Sequence, residues 1–219
     1  MSSPERWTPS CSPVWRQAGA VEALAMFAII MAYIWKLRFT HPRFWIPIVA
    51  LVLISVAAHH ERASALGFQT RNFGNCVRRF AAPLIGLALA MFSAGLLLGT
   101  IRPVGFEPAM LSFALYLPWG LFQQYLLNGY FLKRFDTSLS PHAANILTSM
   151  LFCVVHTPNW FLMLVSPLAG YGAIAVYRRY KNLYFLGVAH AIIGFLLFMV
   201  VPDWMSHHLN VGPGWFVLR

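Results

Sequence analysis

The feature that most restricts the fold of this chain is a succession of long apolar runs that are almost free of charge. Hydrophobic residues make up 59% of the 219 residues and charged residues 10%, with a mean hydropathy of +0.63. A soluble domain carries about 25% charged residues. Because a bilayer offers no partner for backbone N–H and C=O groups, runs of this length favour helices. We therefore predict an all-α, polytopic integral membrane helical bundle.

Seven runs are candidate membrane spans, since a helix of about 20 residues crosses the hydrocarbon core. The helix-start signal Ser140-Pro141 marks the beginning of the fifth run. The sixth run is the shortest and is predicted to be re-entrant or a half-span. The expected count is about seven spans, with eight as the alternative. In chain order the runs cover residues 18–35, 44–58, 80–101, 109–132, 142–165, 168–177 and 183–201.

The basic residues stand in short clusters between the apolar runs, and they account for a formal net charge of +10. If the chain crosses at every run, eleven Lys and Arg residues fall on one side and five on the other. The positive-inside rule then predicts a cytoplasmic N-terminus in a membrane of the cytoplasmic (inner) type. Since this topology explains the charge, the expected partner is the lipid bilayer and not nucleic acid.

The same pattern divides the chain into three predicted parts. Residues 1–17 form a cytoplasmic N-terminal segment, residues 18–201 one membrane domain, and residues 202–219 an interfacial C-terminal tail with aromatic anchors. Glu22 is the only acidic residue inside a predicted span. Because it lies one turn from the predicted cytoplasmic end, we expect its carboxylate to reach the interface or to pair with Arg16.

Three short motifs place polar groups inside the apolar runs. They read Gln123-Gln124-Tyr-Leu-Leu-Asn128, Phe152-Cys-Val-Val-His156 and His190-Ala-Ile-Ile-Gly194. On a helix, residues four apart share a face, so each motif directs its polar groups one way. Because a bilayer penalises such groups, they are expected to face the interior of the bundle and to form a polar pocket that opens toward the cytoplasm.

In order and spacing these motifs resemble those of the CPBP family, the intramembrane endopeptidases related to the CAAX prenyl protease. The family motifs read EExxxR, FxxxH and HxxxN. This chain keeps both histidines, and Thr157-Pro158-Asn159 follows the first of them as it commonly does in the family. The resemblance extends over residues 65–198, with the motifs within 120–198. It implies a CPBP-like helical membrane fold.

The resemblance also implies site residues. In the family the first glutamate is taken to activate the attacking water, the histidines assist, and the asparagine and a histidine stabilise the oxyanion. A glutamine can orient a water but cannot take its proton near neutral pH. The six positions, from the two glutamates through the arginine and the two histidines to the asparagine, are occupied here by Gln123, Gln124, Asn128, His156, His190 and Gly194.

Several functions fit this pattern. The favoured one is a non-proteolytic pseudoenzyme, or an accessory or scaffold subunit that binds other membrane proteins. A second is an active endopeptidase of altered mechanism that uses His156 and His190. A third is ligation of a pigment, a haem or a divalent metal by the same two histidines. The alternative without any function at the site is interhelical hydrogen bonding, which such residues often provide.

Overall fold

The computed structural model describes residues 13–217, which fold into helices without any β-strand in that range. Two segments are π-helical, Tyr33–Leu37 and Tyr125–Leu132, and two are 3-10 helices, Pro42–Phe44 and His207–Leu209. The α-helices are α1 (Pro13–Ala32), α2 (Arg38–Thr40), α3 (Trp45–Ala58), α4 (Phe73–Leu98), α5 (Phe106–Gln124), α6 (Lys133–Asp136), α7 (Pro141–Val154), α8 (Trp160–Tyr180), α9 (Leu183–Val200), α10 (Asp203–Ser206) and α11 (Gly214–Val217).

Four helical stretches of the described chain are long and apolar enough to cross a membrane. They are Ala18–Thr40, Phe73–Leu98, Trp160–Tyr180 and Leu183–Val200. Two shorter apolar helices, Pro42–Ala58 and Pro141–Val154, accompany them. The all-α, membrane-embedded class is thereby confirmed, while the count of seven or eight spans stays a prediction.

The structure places the break between the fifth and sixth predicted runs elsewhere. The expected run 142–165 is interrupted, because α7 ends at Val154 and α8 begins at Trp160. Pro158 lacks the N–H that a continuing helix needs and disfavours helical backbone at the preceding residue. Asn159 then caps α8 by accepting a hydrogen bond from Leu162 N at 3.1 Å. The expected half-span 168–177 is part of the 21-residue helix α8.

Helices α5 and α9 are in very close contact in the middle of the bundle. A Cβ on Gly120 would lie 2.7 Å from the Gly187 carbonyl oxygen, and a Cβ on Gly187 would lie 2.8 Å from Leu121 Cα. Small residues at a helix interface allow backbones to approach this closely in a membrane protein. This approach brings the first and third motifs together.

One end of the bundle is organised by Asn182, which caps α9. Its Oδ1 accepts from Phe185 N at 2.9 Å, and its Nδ2 donates to Gln69 O at 2.8 Å and to Asn72 Oδ1 at 2.6 Å. Leu183 N also donates to the carbonyl of Gly67, whose φ of 100° suits glycine. The connection between α3 and α4 is thus fastened to the connection between α8 and α9, and we call this the Asn182 end.

The C-terminal tail packs on the opposite end, which we call the tail end. Asn159 Nδ2 donates to Ser206 O at 2.8 Å and to Asn210 O at 2.9 Å, and Gly212 N donates to Thr157 O at 2.7 Å. Arg38 Nη2 donates to the Val211 carbonyl at 2.9 Å. The aromatic tail therefore folds back on the turn between α7 and α8, and the boundaries of the three predicted parts stay predictions.

Candidate functional site

The centre of the site is a chain of three uncharged side chains that links α5 to α9. Asn128 Nδ2 donates to Gln124 Oε1 at 2.9 Å, and Gln124 Nε2 lies 3.2 Å from His190 Nδ1. Gln124 is 4% exposed and Asn128 is fully buried. Residues of the first and third motifs are thus brought together, as the motif spacing predicted.

A π-helix carries the end of the first motif. Residues Tyr125–Leu132 adopt this wider helix directly after α5. Such segments are rare and occur frequently at functional sites. The motif was expected on an α-helix, yet Gln124 and Asn128 still share a face and remain in contact.

The second motif is held differently from the expectation of a continuous helix. His156 lies beyond α7, in the turn that precedes α8, and its ring packs edge-on against the ring of Phe152 with 4.9 Å between centroids. His156 Nδ1 is 2.6 Å from the Phe152 carbonyl oxygen, which also accepts from Ser166 Oγ at 3.0 Å. The His190 ring lies 6.2 Å from that of Phe152. Phe152 therefore contacts both histidines.

With the amide orientations of this structure, the contacts assign a proton to one nitrogen of each neutral imidazole. A carbonyl only accepts, so His156 donates from Nδ1 and keeps a lone pair on Nε2. An amide nitrogen only donates, so His190 accepts at Nδ1 and carries its proton on Nε2. The two partly exposed histidines thus present one acceptor and one donor, and the buried amides lie behind them.

Two positions of the family pattern, 123 and 194, do not take part in the hydrogen bonds that link Asn128, Gln124 and His190. Gln123 Oε1 is buried and makes no hydrogen bond with the described residues, as is also true of Asn128 Oδ1. Above Gly194, a Cβ would lie 3.1 Å from Tyr116 Cε1, so the Tyr116 ring fills the space into which a side chain at 194 would extend. Position 194 thus lacks the family's asparagine, and the Tyr116 ring occupies the space that its side chain would need.

The two histidines alone do not fit a typical protein metal centre. No group of three or more His, Cys, Asp or Glu side chains that could hold a metal ion occurs in residues 13–217. A catalytic zinc site usually has three protein ligands. The proton on His190 Nε2 also blocks ligation through that atom unless Gln124 rotates.

A second polar cluster, centred on Arg134, was missed by the sequence reasoning. Arg134 is 1% exposed, and its guanidinium donates to Glu22 Oε1 at 3.1 Å and to Glu61 Oε1 at 2.7 Å. Ser55 Oγ accepts from Arg134 Nη2 at 2.8 Å, and Tyr130 OH donates to Glu22 at 3.0 Å. This cluster joins α1, α3 and α6, together with the connection that follows α3.

Glu22 has partners that the sequence did not predict, while its expected pairing with Arg16 stays a prediction. Its carboxylate contacts Ser55, His59, Tyr130 and Arg134, and the side chain of Arg16 lies outside the described residues. The sequence signal for this cluster was Glu22 itself, because an acidic residue inside an apolar run needs a cation as its partner. The particular cation could not be chosen from the sequence, because Arg134 is 112 residues away.

Stability should depend on pH through Glu61, which lies in the connection after α3. Burial raises the pKa of Glu61, but hydrogen bonds from Arg134 and Lys133 and their charges lower it more, so the net pKa lies below its ordinary value. A depressed folded-state pKa contributes stability above the unfolded pKa of about 4.3, and this is lost as pH falls through the folded-state value. Thermal unfolding in mild detergent should therefore move to lower temperature below about pH 4. In Glu61→Gln this acid-induced shift should be smaller, and an unchanged shift would contradict the assignment.

Together these features define an all-helical, membrane-embedded protein with a histidine and amide site between α5, α7 and α9. Residues 105–196 match the family model described as Type II CAAX prenyl endopeptidase Rce1-like. The resemblance to the CPBP family is thereby confirmed over this segment, which contains all three motifs. No curated protein and no solved structure matches the chain.

Proposed function

We propose that this CPBP-type membrane protein no longer hydrolyses peptide bonds, and that it uses the histidine and amide site to bind another membrane protein as an accessory or scaffold subunit. The observation that carries the proposal is the uncharged chain from Asn128 through Gln124 to His190. A general base contributes about 10²- to 10⁴-fold to such a reaction, and neither glutamine supplies one. The proposal includes a cytoplasmic N-terminus and about seven spans in an inner-type membrane.

The acidic residues of the described chain support this proposal, because most of them form ion pairs away from the histidine and amide site. Glu22 and Glu61 contact Arg134, and Asp136 pairs with Arg178 at 2.6 Å. Asp203 pairs with Arg102 at the tail end. The remaining described acid, Glu107, lies in the first turn of α5. None of these acids makes a hydrogen bond with the motif side chains, so none replaces the missing glutamate.

One observation favours the alternative of an altered hydrolase. The Nδ1 atom of His156 is bound to a carbonyl, which leaves Nε2 with a lone pair that could accept a proton from water. His190 Nε2–H is a donor that could stabilise an oxyanion. The alternative therefore assigns base and donor to the two histidines.

The first experiment compares hydrolysis of lipidated peptides by the wild type, His156→Ala and a control, His142→Ala. His142 is an exposed histidine near the start of α7 and is not part of the site. We expect all three rates to equal the uncatalysed background. A wild-type rate that survives in His142→Ala but disappears in His156→Ala would establish the hydrolase instead.

The binding role is tested by gentle purification, mass spectrometry of the co-purifying proteins and a visible absorption spectrum. We expect a stoichiometric membrane-protein partner, which should dissociate in Gln124→Leu because the substitution removes both amide contacts. A monomer under every condition tried would overturn the accessory role. A visible absorption band from a bound group would indicate a pigment or haem.

A further inference from the structure

Residues 71–79 and 179–181, which belong to the segments joined at the Asn182 end, carry five exposed basic side chains. We call this set the basic surface; its members are Arg71, Arg78, Arg79, Arg179 and Lys181. They come from three parts of the chain, namely the connection before α4, the first two turns of α4 and the end of α8.

Specific contacts hold these three parts together. Gln69 Nε2 donates to the Lys181 carbonyl at 2.8 Å, next to the Asn182 contacts that bind the same two connections. The Phe80 ring packs edge-on against Tyr180 at 5.6 Å, which joins the start of α4 to the end of α8. The Arg179 guanidinium lies over the Tyr180 ring at 5.8 Å. The proximity of these charges is therefore built into the fold.

No described carboxylate neutralises the basic surface. Among the described residues of this half of the bundle, Glu22, Glu61 and Asp136 form ion pairs, and none of their partners belongs to the basic surface. Arg78 donates to the neutral Asn75 side chain at 2.6 Å. Five exposed positive charges thus have no opposite charge within ion-pair distance among residues 13–217.

The position of the basic surface indicates the chemistry of its partner. It lies where candidate membrane helices begin and end, since α4 starts at Phe73, α8 ends at Tyr180 and α9 starts at Leu183. Farther along α4, Ile85 and Leu89 are 56% and 61% exposed, as expected of a helix that faces lipid. When α4 crosses a bilayer, Arg78 and Arg79 near its start would lie at the level of lipid headgroups, where basic side chains attract anionic lipids.

We propose that the basic surface binds the headgroups of anionic phospholipids. This proposal does not depend on the function of the histidine and amide site. The positive-inside rule requires only that basic residues lie on one side of the membrane, and it does not require them to be held close together. The segments that carry this surface are held together by hydrogen bonds between two connections, which favours a specific binding site. The phosphate groups of neighbouring lipids would supply the opposite charges that the described part of the chain does not.

The test titrates the purified full-length chain in mild detergent with phosphatidylglycerol or phosphatidylcholine and counts bound lipid by native mass spectrometry. The variant is Arg78→Gln/Arg79→Gln. The matched control is Lys36→Gln/Arg43→Gln, which removes two exposed charges near Arg38, on the side of the bundle where Arg38 contacts the tail. Each basic residue near an anionic surface contributes about 1 kcal/mol, or about fivefold, so the variant should bind phosphatidylglycerol about 25-fold more weakly. The control should bind like the wild type.

Three results would overturn the proposal. The first is equal binding of phosphatidylcholine and phosphatidylglycerol by the wild type, and the second is an equal loss in both double variants. The third is full competition by millimolar inorganic phosphate or by an acidic peptide, which would assign the surface to a soluble anion or to a protein partner. Thermal unfolding of both variants without lipid checks that each one folds.

Discussion

Replacing Arg134 with alanine is expected to destabilise the protein by about 3–5 kcal/mol, because it removes the buried cation that pairs with both Glu61 and Glu22. The Glu61 side chain is 6% exposed and would keep only Lys133, while Glu22 would lose its hydrogen bond from Arg134 Nε. Ser55 would also lose a donor. The measurement is the free energy of unfolding in mixed detergent micelles.

The matched control for this prediction is Arg178→Ala. Arg178 pairs with Asp136 at 2.6 Å, but the two side chains are 30% and 34% exposed, and such pairs contribute about 0–1 kcal/mol. The comparison separates the effect of burial from that of pairing alone. Equal small losses in the two variants would show that the Arg134 cluster is not the fastening between α1, α3 and α6.

Replacing Gly187 with alanine is expected to force α5 and α9 apart. The new Cβ would lie 2.8 Å from Leu121 Cα, a backbone atom that cannot turn away. Overpacking of this kind costs about 1–3 kcal/mol. Separation of the helices should also break the contact between Gln124 and His190, so this variant should lose any partner that the site binds.

Gly86→Ala serves as the control for the glycine prediction. Gly86 lies in α4, and a Cβ there would meet nothing within 4 Å. Alanine has the higher helix propensity, so this variant should be unchanged or up to about 1 kcal/mol more stable. If Gly187→Ala were as stable as Gly86→Ala, the close approach of α5 and α9 would be contradicted.

The break between α7 and α8 shows which features of a helix local sequence patterns predict and which they miss. The Ser140-Pro141 start signal is confirmed, since Ser140 Oγ accepts from Ala143 N at 3.3 Å. The run 142–165 was nevertheless predicted as one span, although Pro158 lies within it. A hydropathy average depends only on side-chain polarity, so it does not detect that proline lacks a backbone N–H. It also does not detect the Asn159 cap, which depends on one side-chain hydrogen bond within an otherwise apolar run.

At the site, the sequence likewise predicted which motifs meet but not which side chain makes the contact. Motif spacing predicted that the first and third motifs meet, and Gln124 does contact His190. The residue placed on the first glutamate position, Gln123, does not join the chain of hydrogen bonds. Which of two adjacent glutamines reaches a histidine depends on the rotation of α5 and the π-helix after it, and a spacing rule cannot supply that rotation.

Hydropathy and the spacing of residues four positions apart were enough to predict the all-α membrane class, the three motifs and the resemblance to the CPBP family. Helix packing was needed to show that Glu22 contacts Arg134, that Tyr116 fills the space above Gly194, and that Asn182 contacts Asn72. Each of these contacts joins residues far apart in the chain. Partners at such separations are selected by helix packing, in which Gly120 and Gly187 set how closely α5 and α9 approach.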